Sequence, residues 1–386
     1  MAAGSAVCVA TIYLSQPILN LLTGALHASA REMGMVITFT QIGFGAGIVF
    51  LVPLGDIIAK KRLILAKLFL VAAALVATGL ASSAWEMAAG SLAIGIFASA
   101  AQDFVPLAAE LSPPQRRGRA VGTVMSGLLL GILGSRIFSG ALAEWVGWRA
   151  SFFVSALLAL AVSFFVWRRV PSVEQDHQAA YPALLRSMLS LMRNQPLLVL
   201  STIGHGFLGL VFSAFWTTLS FHLGGPRFHL SPSRIGAFAL AGFAGAAIAP
   251  VAGRLADRHG PLFNIRAGIG LTALAFVTLL LFPASLAVLI AATVLFDLGV
   301  QVSMVSHQTV IYSLEPSARS RINAVYVGGL FGFFALGSFG ATWAFAAEGW
   351  TGVIVLCLAS CGAAALVHGV LSRRWRERFQ PVAAGV

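Results

Sequence analysis

Residues 253–260 read GRLADRHG. Arg254, Asp257 and Arg258 stand there between two long apolar runs, with His259 able to titrate beside them. Residues 52–62, VPLGDIIAKKR, form a blurred copy between two other apolar runs. The acidic residue of that copy, Asp56, precedes Asp257 by 201 positions. A charged turn that recurs at half the chain length points to a duplicated membrane protein.

Composition agrees. Of 386 residues, 58% are hydrophobic and 10% charged, and the mean hydropathy is +0.89; soluble domains carry about 25% charged residues. The net charge of +12 would point to nucleic acid in a soluble chain. Here the basic residues cluster in short loops between apolar runs, so they read as an orientation signal, and no nucleic-acid partner is expected. Cys8 stands alone, and Cys357 and Cys361 lie one helical turn apart with no histidine or carboxylate nearby. They read as small packing residues, and no metal site is expected. Ala28-Ser29-Ala30 resembles a signal-peptidase site, but no basic residue precedes the apolar run, and Tyr13, Gln16 and Asn20 interrupt it. Residues 4–26 are therefore expected to be a retained first span.

A membrane span needs about 20 apolar residues. Twelve such segments are expected: 4–26, 34–56, 63–83, 86–110, 119–143, 149–170, 197–221, 233–256, 262–282, 286–312, 320–346 and 350–371. The polar segment 171–196 separates them into two sets of six. The expected domains are thus 1–170, a cytoplasmic linker 171–196, and 197–386. With the N-terminus inside, 20 of the 25 Lys and Arg residues fall at the cytoplasmic ends, Lys60, Lys61 and Lys67 among them. That bias predicts both termini in the cytoplasm. Two further pairs support the repeat: Leu111-x-Pro113-x-x-Arg116 matches Leu314-x-Pro316-x-x-Arg319, and Gly147-Trp148 matches Gly349-Trp350. The offsets, 203 and 202, span six helices, so the halves share one orientation, related by an axis along the membrane normal.

Polar stripes on spans face either a wet cavity or a neighbouring helix. Span 10 carries Thr293, Asp297, Gln301, Met304, His307, Gln308 and Tyr312 on one wedge. Span 1 offers Tyr13, Gln16, Asn20 and Thr23; span 7 offers Ser201, Thr202, His205, Phe212, Trp216 and Ser220; span 4 offers Ser99, Asp103 and Glu110. Spans 3, 6, 9 and 12 lack such stripes and are expected to face lipid. Spans 5, 8 and 11 are rich in glycine, which permits close helix approach or a sliding seam.

The motif G-x-x-x-D-R-x-G between spans 8 and 9, its weaker counterpart between spans 2 and 3, and the six-plus-six repeat resemble the major facilitator superfamily over essentially the whole chain. QPILNLL, TQIGFGAG, VGTVMSGLLLGILGSRIFSG and FSAFWTTLSF resemble the bacterial drug:proton antiporter branch, near the arabinose-efflux-like and purine-nucleoside-efflux-like exporters. The resemblance implies an all-α membrane protein whose two pseudo-symmetric six-helix bundles give alternating access to a central site. It implies a cytoplasmic gate at Asp56, Lys60, Lys61, Gly253, Asp257, Arg258 and Gly260. It also implies location in the bacterial inner membrane, action as a monomer, and no cofactor, with the proton gradient as energy source. Three departures stand out. Val52 stands where the family prefers glycine. Ala59 replaces the turn glycine of the first copy, which predicts a differently shaped loop. Gly134-Ser135-Arg136 lacks the proline of the branch's fifth-helix motif.

Three ionisable side chains, Asp103, Arg136 and Asp297, lie well inside spans, at an insertion cost of about 2.5–3.5 kcal/mol each. Asp297 and Asp103 are candidates for proton coupling. Arg136 is either one half of a structural ion pair or an anchor for substrate. Tyr13, Gln16, Asn20, Arg136, His205, Trp216, Gln301, Met304, His307 and Gln308 are the candidate cavity residues. There is no HExxH, no nucleotide loop and no soluble domain, so enzyme activity and direct use of ATP are not expected. The expected function is proton-coupled export of small organic compounds such as drugs, sugars or nucleosides. A proton-coupled importer and a non-transporting scaffold remain as alternatives.

Overall fold

A computed structural model describes residues 1–172, 180–246, 260–315 and 318–379. Gly253, Asp257 and Arg258 lie outside the described residues. Every described element is helical: α1 (Ala2–Thr11), α2 (Leu19–Ala25), α3 (Ala30–Ala46), α4 (Lys60–Gly79), α5 (Ala84–Ala98), α6 (Ala100–Glu110), α7 (Arg117–Trp145), α8 (Trp148–Arg169), α9 (Tyr181–Asn194), α10 (Pro196–Gly224), α11 (Pro232–Ala237), α12 (Ala239–Ala246), α13 (Pro261–Leu281), α14 (Leu286–Tyr312) and α15 (Arg319–Phe379), with short 3₁₀ and π turns between some of them. Among the described residues ten helical stretches are long and apolar enough to cross a bilayer. One of these, α15, is two spans joined at a kink where Glu348 and Gly349 leave helical geometry. The helices α11 and α12 begin the eighth expected span, whose remainder lies outside the described residues. Helix α9 is an addition: the segment expected as a polar linker contains an amphipathic helix that buries Met188 and Leu191.

Local chemistry sets the helix starts. Ser29 and Glu32 form a reciprocal capping box at α3, Ser83 caps α5 and Ser285 caps α14. The two Gly-Trp repeats behave alike: Gly147 (φ +106) and Gly349 (φ +60) both take positive φ, and the tryptophans after them, Trp148 and Trp350, are both buried. The residues that lead into the helices after the two charged turns differ. Gly260 takes φ +81 before α13, whereas Ala59 enters α4 at φ −49, as a residue with a Cβ must.

Two compact units emerge, one of residues 1–185 with 216–239, the other of 186–215 with 240–386. In the first unit glycines set the closest approaches. A Cβ on Gly43 would strike the Leu92 carbonyl, one on Gly47 the Ile96 carbonyl, and one on Gly95 the Thr40 carbonyl. Gly43-x-x-x-Gly47 and Gly95 thus press α3 against α5 backbone to backbone. Gly127 and Gly131 admit α1 against α7 in the same way, and Gly140 and Gly236 admit α11. In the second unit an aromatic cluster fills the core, with Phe296 lying 4.6 Å from Phe215 and 5.6 Å from Phe276 between ring centroids. Large apolar side chains point outward from α8 (Phe165, 62% exposed) and from the last span (Leu366, 77%), as expected for surfaces in contact with lipid.

These approaches predict opposite outcomes at two glycines. Gly95→Leu drives a side chain into the α3 backbone and is expected to cost about 1–3 kcal/mol. Gly270→Ala, where a Cβ meets nothing within 4 Å, is expected to be neutral or mildly stabilising. Thermal denaturation of the detergent-solubilised variants checks both.

Candidate functional site

The first expected span is not a continuous helix. Pro17 has no N–H to bond the carbonyl of Tyr13, so the chain turns through 12–15 and a 3₁₀ segment, Gln16–Ile18, before α2. The Tyr13 carbonyl accepts instead from the Gln16 N–H. This break sits beside α7, just past the Gly131 contact, and it brings four candidate residues together. Arg136 donates from Nε to Gln16 Oε1 at 2.9 Å. Its guanidinium lies 4.3 Å from the Trp216 ring centroid and 4.8 Å from that of Tyr13. All four side chains are at most 5% exposed. A planar guanidinium between two aromatic faces, away from water, gains about 2 kcal/mol from a favourable contact. Gln16 Nε2 is buried without a hydrogen-bond partner. One turn on, the Asn20 N–H donates to Ser220 Oγ (3.1 Å), and Ser220 in turn donates to the Pro17 carbonyl (3.1 Å). Ser220 therefore staples the broken segment.

A second group lies between α4 and α6. Lys67 Nζ donates to Asp103 Oδ2 at 2.7 Å, with both side chains almost wholly buried. Lys60 pairs with Glu110 two turns away. This corrects the sequence reading of Lys67 as a charge at the cytoplasmic end and of span 3 as a helix without a polar stripe that faces lipid. Seven positions beyond Lys60, Lys67 points into the unit from inside the apolar run. Asp56 is exposed, Lys60 buried and Lys61 partly buried.

The second unit holds its own polar group. His205 of α10 and His307 of α14 stand 5.6 Å apart between ring centroids, and His205 stacks on Tyr326 at 6.0 Å. His205 Nδ1 is 3.4 Å from Ser303 Oγ. The two imidazoles, each 1% exposed, are therefore neighbours and not lone packing residues. His307 Nδ1, Tyr326 Oη and Ser201 Oγ are buried with no hydrogen-bond partner. Such orphans in a dry interior cost free energy and mark places where a water or polar ligand gains bonds. On α14, Asp297, Gln301, Met304 and Gln308 follow at helical spacing. Asp297 is 5% exposed and the other three are partly buried. Among the described residues no group of three or more His, Cys, Asp or Glu could hold a metal ion.

Broken spans, glycine-mediated helix contacts and intramembrane polar clusters are the anatomy of a transporter, and the comparisons assign the family. The family model described as Major Facilitator Superfamily matches residues 1–284 and, in a second match, 202–384. The chain belongs to the major facilitator superfamily. It is similar to a transporter, YgaY, of Escherichia coli (strain K12), with 36% identity over 93% of this chain and 90% of that protein. It is 32% identical to the transporter SCO4007 of Streptomyces coelicolor, over 90% of this chain and 81% of the relative. A chloramphenicol resistance protein of Streptomyces lividans is 26% identical over 62% of this chain. Among solved structures, a mutant form of the nucleoside transporter NupG superposes with a TM-score of 0.76 at 12% identity, covering 96% of this chain and 98% of that one. That likeness speaks for the fold. The chain is thus a multi-pass membrane transporter and not an enzyme.

Sequence reading places Ser220 on the polar stripe of span 7 but not among the cavity residues, and it does not mark Lys67 or Tyr326 as site residues. Lys67 could have been noticed as a lysine two turns inside an apolar run. Tyr326 has no signal apart from its partners.

The clamp on Arg136 predicts a graded series. Trp216→Ala and Arg136→Lys are each expected to lower the thermal midpoint, at a cost of about 2 kcal/mol for the lost desolvated contact. Trp216→Phe, which keeps an aromatic face, is expected to lose less. The midpoints of the three purified variants check this order.

Proposed function

We propose that this transporter works by alternating access as a proton-coupled exporter of small organic compounds. It sits in the inner membrane with both termini in the cytoplasm, acts as a monomer and needs no cofactor beyond the proton gradient. The observation that carries the reading is the burial of two carboxylates, Asp103 and Asp297, inside apolar helices of a chain with no nucleotide-binding loop. A carboxylate is costly to hold at such depth unless its charge is used, and exchange of a proton is the use a secondary transporter makes of it. The substrate reading rests on Tyr13, Gln16 and Trp216 around Arg136, with His205 and His307 in the second unit. Aromatic faces, one cation and neutral hydrogen-bonding groups suit a mostly neutral, partly aromatic or polyhydroxylated compound. The chloramphenicol resistance relative supports the drug-export branch of this reading. The domain division at 171–196 and the gate formed by Asp56, Lys60, Lys61, Gly253, Asp257, Arg258 and Gly260 belong to the same proposal.

An importer coupled to protons would use the same helices with the opposite net flux. Everted vesicles carrying the full chain separate the two. With an acid interior imposed, addition of chloramphenicol, uridine or arabinose is expected to dissipate the pH gradient for at least one probe, and Asp297→Asn to abolish that response. Substrate-driven alkalinisation of the medium around intact cells, with no dissipation in vesicles, favours import. A full response in Asp297→Asn removes Asp297 from coupling.

A further inference from the structure

The two ion pairs of the first unit share one register. Lys60 faces Glu110 and Lys67 faces Asp103, seven residues along each of two antiparallel helices. Seven residues rise about 10.5 Å along a helix. The outer rung is half open to the surface, since the Glu110 side chain is 37% exposed, while the inner rung is 2% and 3% exposed. A ladder of this kind leads from an accessible helix end to a dry ion pair.

The second copy of the sequence repeat packs the corresponding helices without these charges. With the offset of the Asp56 and Asp257 turns, Lys60 and Lys67 correspond to Pro261 and Gly268. With the offset of the Leu111 and Leu314 motifs, Asp103 and Glu110 correspond to Ser306 and Ser313. None of the four counterparts is charged. There α13 and α14 meet through Gly268, whose added Cβ would lie 2.5 Å from the Gly299 carbonyl and 3.0 Å from Ser303. The first copy has a close contact of its own, Gly90 against Thr78, and adds the two ion pairs to it. Buried ion pairs are poor stabilisers compared with apolar packing, because desolvation offsets their attraction.

The helix that carries Asp103 is also opened beside it. Ser99 separates α5 from α6, and its Oγ is buried without a partner one turn before Asp103. Pro106, three residues after Asp103, has no N–H and leaves the Gln102 carbonyl without its intrahelical bond. A buried hydroxyl and a released carbonyl on either side of a carboxylate are the groups a water would bond on its way to it.

We infer that Lys67 and Asp103 form a proton-exchanging ion pair, loaded through the Lys60–Glu110 rung, with Lys67 as the residue that positions and balances the exchanging carboxylate. This inference rests on the proton-coupled reading above. In the step itself a hydronium entering from the Glu110 end gives its proton to Asp103 Oδ2 and leaves as water, the hydrogen bond accepted from Lys67 Nζ is given up, and the ammonium keeps its own protons. The pair passes from net zero to one positive charge and returns to zero when Asp103 releases the proton. Helix α8, packed on α4, carries Arg149, which bonds the Ala81 carbonyl, and Arg168 and Arg169, exposed at its end. Cys8 of α1 and Lys60 of α4 lie within electrostatic reach of the pair. On α7, Arg117 and Arg119 are exposed at the helix end, and Arg136 bonds Gln16. On α5, the acidic residue is Glu86, bonded to Ser82 at the far end of the span.

The test is an acid-minus-alkaline infrared difference spectrum of the purified full-length protein. The wild type is expected to gain a protonated-carboxyl band on acidification. Asp103→Asn is expected to lose it, and Lys67→Gln to displace the pH at which it appears. The double variant Lys67→Met with Asp103→Leu replaces the pair by apolar groups and keeps the fold, as the uncharged second copy does. It is expected to melt near the wild type while lacking the band. That variant carries the comparison if Asp103→Asn does not fold. A band unchanged in Asp103→Asn or in the double variant, or no band in the wild type, overturns the inference and leaves a permanently ionised packing pair. The antiport reading fails separately: vesicles without any response to a pH gradient sink it even where Asp103 takes up the proton.

Discussion

Hydrocarbon offers no hydrogen-bond partner, and that constraint governs this chain at every scale. Each backbone N–H and C=O inside the bilayer must be bonded within its own helix, so the described elements are helices with only short turns between them. Where a helix breaks inside a span, something else must bond the released groups. At Pro17 the remedy is Ser220, whose hydroxyl reaches the Pro17 carbonyl and accepts from the Asn20 N–H. The cost of the break therefore ties the first span to the end of α10 through a residue 203 positions away.

Because lipid is as apolar as leucine, helices gain little by burying leucine against leucine. Contact is won by shape, which is why glycine sits wherever two backbones touch: Gly43 and Gly95 between α3 and α5, Gly140 and Gly236 between α7 and α11. The latter pair matters for the site. Gly236 lets α11 lie on the Arg136 carbonyl itself, so the backbone that carries the guanidinium is fixed from behind while Trp216 and Tyr13 hold it in front. A rigid helix and two aromatic faces set one rotamer for an otherwise long and flexible side chain.

The fold is legible in the sequence because its signals are one-dimensional. Span length, the excess of Lys and Arg at alternate loops, and three motif pairs at offsets of 201–203 can all be counted along the chain. Individual polar residues are legible for the same reason, since Asp103, Arg136 and Asp297 stand out against apolar neighbours. Their partnerships are not. That Lys67 meets Asp103 depends on the register of two antiparallel helices, and that His205 meets His307 and Tyr326 depends on three helices converging at one depth. Lysine near a span end ordinarily extends to the interface, and only packing reveals that Lys67 points inward.

The repeat separates what geometry demands from what chemistry chose. Gly147 and Gly349 survive in both copies because each chain reversal needs a positive φ, and the tryptophan after each is buried. The helix entries diverged: Ala59 enters its helix from the negative-φ region, while Gly260 takes φ +81. Polar residues diverged further. The counterpart of Arg136 at the Gly-Trp offset is Ser338, whose hydroxyl donates back to the Ala335 carbonyl of its own helix. The buried Lys–Asp pair has glycine and serine opposite it, and the imidazole pair belongs to the second unit alone among the described residues. The two copies thus carry unlike chemistry, with Arg136 and the buried Lys67–Asp103 pair in the first unit and the paired imidazoles beside Tyr326 in the second.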